Sequence, residues 1–304
     1  MPAGWQDVLI GAHVPDLNWN KTVWGSTYGW QAGGEEWSET WGSSEAQWFG
    51  SIFPRLHRFL PARRILEIAP GFGRWTKFLI PACDEFVGVD LSAKCVDACR
   101  KIFATAGHAQ FISNDGFSLD AVPDGKFDLV FSFDSLVHSE HDVLASYIPQ
   151  VLRKLSSDGV AFLHHSNLLA YGNTIGAPHG RAMTVSADIV ADLVKRADGT
   201  ILVQEIVNWG CDHLIDCLTL LARRDAFLQR RRFASRTRFS WRRRHSLKIF
   251  TIAITDRPNI RRTTPAPSPP PADLTQYRAG TDDPRLQRHQ DRWRRSPVSC
   301  GRPS

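Results

Sequence analysis

From Arg64 onward the chain alternates between short apolar runs and longer segments whose apolar residues recur at helical spacing. The runs predict strands at 64–69, 85–90, 109–113, 127–132 and 159–164. Between and after them the spacing predicts helices at 74–81, 92–104, 140–156 and 186–196. The last begins with Ser186 as N-cap and carries Asp188 in its first turn. Two further strand-like runs cover 200–207 and 213–221. Strands separated by helix-length segments predict an α/β fold, a seven-stranded, mostly parallel sheet with helices on both faces. In such a sheet a ligand lies at the carboxyl ends of the strands.

The two ends of the chain follow other patterns. Residues 1–60 hold Trp5, Trp19, Trp24, Trp30, Trp37, Trp41 and Trp48, 7 of the 11 tryptophans, and Gly25, Gly29, Gly33, Gly34 and Gly42 break the segment into turns. From Ser43 to Leu60 the pattern turns helical, with Trp48, Ile52, Leu56 and Leu60 four apart. An irregular cap followed by a lead-in helix is expected. Its tryptophans either pack the cap onto the sheet or, one or two of them, line a substrate mouth, where flat rings suit sugar faces. After Leu221 arginines crowd the stretch 223–244, and Pro265, Pro267, Pro269, Pro270 and Pro271 mark an extended segment. Most of 257–304 is expected to be disordered. Three regions follow: a cap at 1–60, a ligand-binding domain at 61–222 and a basic tail at 223–304.

Composition changes the picture in one respect. The net charge of +6 is an average over two unlike parts. Residues 222–304 hold 21 basic and 6 acidic side chains, a net +15, whereas residues 1–221 hold 16 basic and 25 acidic, a net −9. A nucleic-acid partner would be met by the basic tail alone. The six cysteines form no CxxC pair and have no zinc spacing with histidine, so no metal site is expected. No basic-then-apolar leader opens the chain and no apolar run reaches membrane-span length. A cytoplasmic, reduced protein without a membrane span is expected.

The chemistry concentrates at Ile65–Gly73, ILEIAPGFG, a strand that ends in a glycine turn before a helix. Glycines let the backbone approach a ligand, and a helix N-terminus offers free N–H groups. Asp90 ends the next strand, at a spacing suited to hydrogen bonding ribose hydroxyls. Asn114-Asp115-Gly116 follows strand 3, and Phe127-Asp128-Leu129-Val130-Phe131-Ser132-Phe133-Asp134 makes strand 4 and its end. With these four motifs in order, the segment 60–221 resembles the class I S-adenosylmethionine-dependent methyltransferases. The form EIAPGFGRW, with Val207-Asn208-Trp209-Gly210 and Leu214-Ile215-Asp216-Cys217, is similar to bacterial methyltransferases that act on sugar or polysaccharide hydroxyls.

That resemblance implies a Rossmann-like fold and S-adenosylmethionine as cofactor. Glu67 would hold the methionine end, directly or through water, with Gly71 and Gly73 letting the backbone close over it. Ala69 stands where the family has its first glycine and, with Pro70, still gives a turn. Asp90 would accept from both ribose hydroxyls with Leu91 beside it, Asp115 would take the adenine amino group with Gly116 keeping the approach open, and Phe133 and Asp134 would line the cofactor. Acids rather than basic residues suit a cationic cofactor without phosphate.

Methyl transfer needs alignment and, for a hydroxyl acceptor, a base. His138 leads the candidates, followed by His141 and then His164 or its neighbour His165. Glu140 and Asp134 would orient the base or hold a metal, though their spacing gives no strong metal signal. The long segment Ser166–Ser186 suits a substrate lid, with Tyr171 and Arg181 meeting the acceptor; a surface ion pair is the alternative role for Arg181. The expected acceptor is a small molecule or glycan. Competing functions are an RNA or other small-molecule methyltransferase, an NAD-dependent oxidoreductase and a non-catalytic binding module. The dinucleotide fingerprint lacks its third small residue, Thr76 standing there, and Phe133-Asp134-Ser135-Leu136 is not the Pro-Pro-aromatic motif of DNA amino-methyltransferases. Intact Glu67, Asp90 and Asp115 oppose the binding module.

Overall fold

A computed structural model describes residues 15–172, 175, 178–208 and 213–225. The chain divides into two units, 1–236 and 237–304, and every described residue belongs to the first. Trp5, Asn173, Trp209, Gly210 and the arginine- and proline-rich tail beyond Asp225 lie outside the described residues.

Seven strands form one sheet: β1 (Ala62–Ile68), β2 (Cys83–Asp90), β3 (Ala109–Ser113), β4 (Phe127–Ser132), β5 (Leu155–Ser166), β6 (Gly199–Val207) and β7 (Asp216–Arg223). Their order is β3-β2-β1-β4-β5-β7-β6. The first five run parallel, and β7 is antiparallel to both neighbours. The Rossmann-like expectation holds. Strand alternation sends Leu66, Val130, Ala161 and Leu163 into a core with the helices His141–Lys154 and Ala187–Arg196. Ile65, Leu129, Phe131 and Phe162 face a second core holding Trp48, Ile52, Leu56, Leu79 and Val96. A sheet buried on both faces explains why these strands read as nearly continuous apolar runs.

In chain order the helices are α1 (Leu17–Thr22), α2 (Ser44–Gln47), α3 (Phe53–Leu56), α4 (Thr76–Leu79), α5 (Ala93–Ile102), α6 (His141–Lys154) and α7 (Ala187–Arg196). Ser186 caps α7 as expected, its Oγ accepting the Ile189 N–H. Several boundaries differ from the sequence pattern, among them the start of β7, at Asp216 and not at 213. The lead-in helix is not uniform: a π turn, Trp48–Ile52, separates α2 from α3, and a 3-10 turn follows at His57–Phe59. The helix expected at 74–81 is one α turn, α4, continued by a 3-10 turn at Ile80–Ala82, because the glycine turn occupies the residues up to Trp75. Strand β5 starts at Leu155, four residues early, pairing with Phe127 across a register shift.

Trp48 carries the lead-in segment onto the sheet. It is buried, stacks on Phe78 at 4.9 Å and 8°, and meets Phe131 edge-on at 6.3 Å. Trp48→Ala is expected to cost about 3–5 kcal/mol, measured by denaturant unfolding; a loss below about 1 kcal/mol would show that the segment adds little to the core.

Candidate active site

In the strand order, β1 and β4 sit side by side while their chain connections leave in opposite directions, which opens a crevice at their carboxyl ends. A cavity of about 1030 Å³, counting its open mouth, occupies this place. Ala69, Gly71, Asp90, Leu91, Gly116, Phe133, Asp134, His138 and Arg181 line it; Glu67, Gly73, Asp115, His141, His164 and Tyr171 do not.

The glycine turn shapes one wall. Ala69 has φ 58°, so the residue at the family's first-glycine position adopts the left-handed region despite its Cβ. Its N–H donates to the Val89 carbonyl at 2.7 Å and its carbonyl accepts from Ser135 Oγ at 2.9 Å. Gly71, at φ 60°, presses against the cap: a Cβ there would lie 2.6 Å from the Trp30 ring. Gly116, at φ 81°, does the same to Leu17 at 2.7 Å. Gly73 packs behind the turn against Phe103.

Asp90 is 5% exposed. Its Oδ2 accepts the Gly71 N–H at 3.0 Å and its Oδ1 the Ser92 N–H at 2.8 Å. Burial raises its pKa to about 6 against the pull of those two donors. Glu67, 1% exposed, lies under the turn and accepts from Thr76 Oγ1 at 2.5 Å. Burial pushes it up to about 8, and the Asp90 charge adds to the rise. Asp115 is exposed; its carboxylate accepts the N–H groups of Phe117 and Ser118, which hold its pKa down. The cavity wall at that point is Gly116 with Asn114, whose Nδ2 donates to Tyr147 Oη at 3.0 Å.

The histidines separate clearly. His138, 4% exposed, lines the cavity; its Nδ1 is 2.8 Å from the Gly180 carbonyl. A carbonyl can only accept, so Nδ1 carries the proton and Nε2 keeps its lone pair. Burial and the nearby Arg181 charge lower its pKa to about 4. His141 opens α6 on the exposed side, its N–H donating to Thr184 Oγ1. His164 is fully buried behind the wall: the Asp134 N–H donates to its Nδ1 at 3.1 Å, and its Nε2 lies 3.2 Å from Asp216 Oδ2. His165 bonds Thr219 within the sheet. Glu140 accepts the N–H groups of Met183 and Thr184.

Arg181 is buried, not the surface ion pair weighed from the sequence. Its guanidinium pairs with Asp216 through two bonds, 3.1 and 2.9 Å, and lies 3.8 Å from Asp134. Asp134 also pairs with Arg74 at 2.7 Å. Burial opposes the Asp216 charge, yet Arg181 and His164 overcome it and hold that carboxyl well below the usual range. Tyr171 accepts the Leu214 N–H away from the cavity.

Several lining residues had no assigned role in the sequence. Leu17, Asn20, Trp24, Trp30 and Trp37 come from the cap, and Arg74 from the turn after β1. Among the tryptophans, Trp48 packs the core, while Trp24, Trp30 and Trp37 line the cavity. For Arg74 the available signal was its place directly after the glycine turn. For Asn20 there was none, since its contact, Nδ2 donating to the His138 carbonyl at 2.8 Å, spans 118 positions.

Residues 65–159 match a family model described as a methyltransferase domain. Over those residues, about a third of the chain, the protein carries a methyltransferase domain. No curated protein matches the chain in sequence. Solved structures similar to it include an S-adenosylmethionine-dependent methyltransferase from Clostridium acetobutylicum, 17% identical, TM-score 0.49, with 58% of this chain and 91% of that one covered. Others are the PH0226 protein from Pyrococcus horikoshii, 23% identical, TM-score 0.46, covering 58% and 89%, and the N-methyltransferase NodS from Bradyrhizobium japonicum, 13% identical, TM-score 0.46, covering 58% and 96%.

The residues present fit S-adenosylmethionine, the cofactor that the resemblance in sequence implies. Two buried carboxylates with raised pKa values lie at or just behind the wall, where a cationic ligand would relieve the cost of their burial. Asp90 spends one acceptor position per oxygen on backbone and keeps others for hydroxyls.

The raised pKa of Glu67 gives a pH test on the ligand-free methyltransferase. A carboxyl raised from 4.5 to about 8 contributes stability that is present below pH 4.5 and lost as pH rises through 8. Glu67→Gln removes that dependence. Its stability relative to wild type is expected to improve by more than about 1 kcal/mol between pH 5 and 9, read from denaturant midpoints; a pH-independent difference would contradict the burial of an ionisable Glu67.

Proposed function

We propose that the enzyme methylates a hydroxyl group, with a sugar or glycan as the favoured acceptor. The observation that carries this reading is His138, a neutral imidazole lining the same cavity as Asp90 and Gly71, with Nδ1–H committed to the Gly180 carbonyl and Nε2 unprotonated. An alcohol loses its proton as the new bond forms, so a fixed base of this kind suits an oxygen acceptor. The faces and edges of Trp24, Trp30 and Trp37 support a sugar-sized, amphipathic ligand beside it.

S-adenosylmethionine supplies an electrophilic methyl group on a sulfonium centre. Asp90 would accept hydrogen bonds from the ribose, Glu67 would balance the ammonium from beneath the glycine turn, and Ala69, Gly71, Leu91 and Phe133 would shape the walls. Asn114 and Gly116 border the adenine end, with Asp115 holding their turn. Asp134, fixed by Arg74, would stand beside the methyl donor. Arg181 reaches the acceptor side of the cavity. Trp24 lies 5.0 Å from the His138 ring and excludes water from it.

The reading predicts methyl transfer from S-adenosylmethionine to nucleotide sugars or glycans in a labelled-methyl acceptor screen, with the label on oxygen. Methylation of amines alone would contradict it. His138→Gln is expected to lower turnover about 10²- to 10⁴-fold and leave cofactor affinity unchanged; wild-type turnover would remove the base assignment. A histidine with pKa lowered to about 4 is neutral above that value. The His138 limb of the pH–rate profile is therefore expected near pH 4, with no inflection at the ordinary histidine value.

A further inference from the structure

We propose that Asp216 is a positioning residue for His138, acting through Arg181 to hold the carbonyl that fixes the imidazole tautomer. Asp216 is the first residue of β7, and because β7 runs antiparallel to β5 its beginning lies level with Ser166 at the carboxyl edge. It is fully buried and takes both bonds of the Arg181 fork, from Nε to Oδ1 at 3.1 Å and from Nη2 to Oδ2 at 2.9 Å. The peptide before Arg181 presents the Gly180 carbonyl to His138 Nδ1 at 2.8 Å. The peptide after it donates the Ala182 N–H to the Val137 carbonyl at 2.8 Å. Residues 180–182 are therefore bound to residues 137 and 138 on one side and to β7 on the other.

Gly180 has φ 65°, a backbone setting that glycine adopts without penalty and equally leaves without penalty. The direction of its carbonyl must come from its surroundings. A bidentate guanidinium–carboxylate pair fixes both distance and plane, which a single point-charge contact does not. With Arg181 locked, the Gly180 carbonyl keeps the proton on Nδ1 and leaves Nε2 bare. With it loose, the imidazole is free to carry its proton on either nitrogen, and a protonated Nε2 cannot accept one. Asp134 Oδ1 lies 3.8 Å from Arg181 and His164 Nε2 3.2 Å from Asp216, and the half-buried His179 and buried His165 also feel the charges of the pair.

The effect on turnover rests on the reading of His138 as the base; the effect on the ring does not. The test is long-range proton–nitrogen NMR of the full chain labelled in histidine and saturated with S-adenosylhomocysteine. The His138→Gln spectrum assigns the His138 signals. In wild type, Nδ1 is expected protonated and Nε2 unprotonated. Asp216→Asn and Arg181→Lys, the second keeping the positive charge without the fork, are each expected to give a mixture of tautomers. Their kcat is expected to fall about 10-fold, with the KM for S-adenosylmethionine within about twofold of wild type. If Asp216→Asn does not fold, Arg181→Lys carries the test.

A His138 that keeps its proton on Nδ1 in a folded variant would overturn the proposal, as would a KM rise that accounts for the whole loss. If the variants scramble the tautomer while His138→Gln turns over normally, the base reading falls and the positioning of the ring stands.

Discussion

The Asp90 carboxylate, buried at the end of β2, is held by backbone N–H groups from two directions, Gly71 after β1 and Ser92 before α5. Its burial costs free energy that these two bonds only partly offset, as its raised pKa records. Glu67 stands in the same condition one strand away. Two desolvated acids at one sheet edge are a poor arrangement for a structural core and a good one for a ligand with an ammonium, a sulfonium and a diol. The glycine turn, the left-handed Ala69 and the approach of the cap all follow from keeping that edge accessible to a ligand and closed to bulk water.

The cap completes the site. Leu17 lies on Gly116 and Trp30 on Gly71, so the N-terminal segment covers two glycines that line the cavity. Asn20 ties the same segment to the His138 backbone, and Trp24 stands against its ring. One short stretch of chain thus lines the cavity beside both the glycine turn and His138. Opposite it, Arg74, Asp134, Arg181, Asp216 and His164 form a buried network in which two guanidiniums balance two carboxylates. The cost of desolvating such charges offsets much of their attraction, so the network is weak evidence for stability.

How much of this was legible depended on distance along the chain. The strands, Asp90 and the glycine turn are local signals, each contained in a run of under ten residues, and their place at one edge follows from parallel pairing. The start of β5 was hidden because Leu155–Asp158 lacks the apolar density of its later half and pairs across a register shift. Asp115 illustrates a limit of motif transfer: the turn that presents Asn114 and Gly116 to the cavity uses the Asp115 carboxylate on its own N–H groups. Arg74 with Asp134 is a contact over 60 positions and Arg181 with Asp216 one over 35, and neither has a periodic signature. A histidine's tautomer is likewise set by whichever carbonyl the fold brings to it, here Gly180 from 42 positions away.

The most direct measurement is calorimetric titration of the wild-type protein and Asp90→Asn with S-adenosylmethionine, S-adenosylhomocysteine and NAD. The account predicts that wild type binds the first two and not NAD, and that Asp90→Asn weakens both by about 10-fold or more through loss of charge-assisted hydrogen bonds. Binding of NAD alone, or unchanged affinity in Asp90→Asn, would contradict the assignment of this edge to the methyl donor.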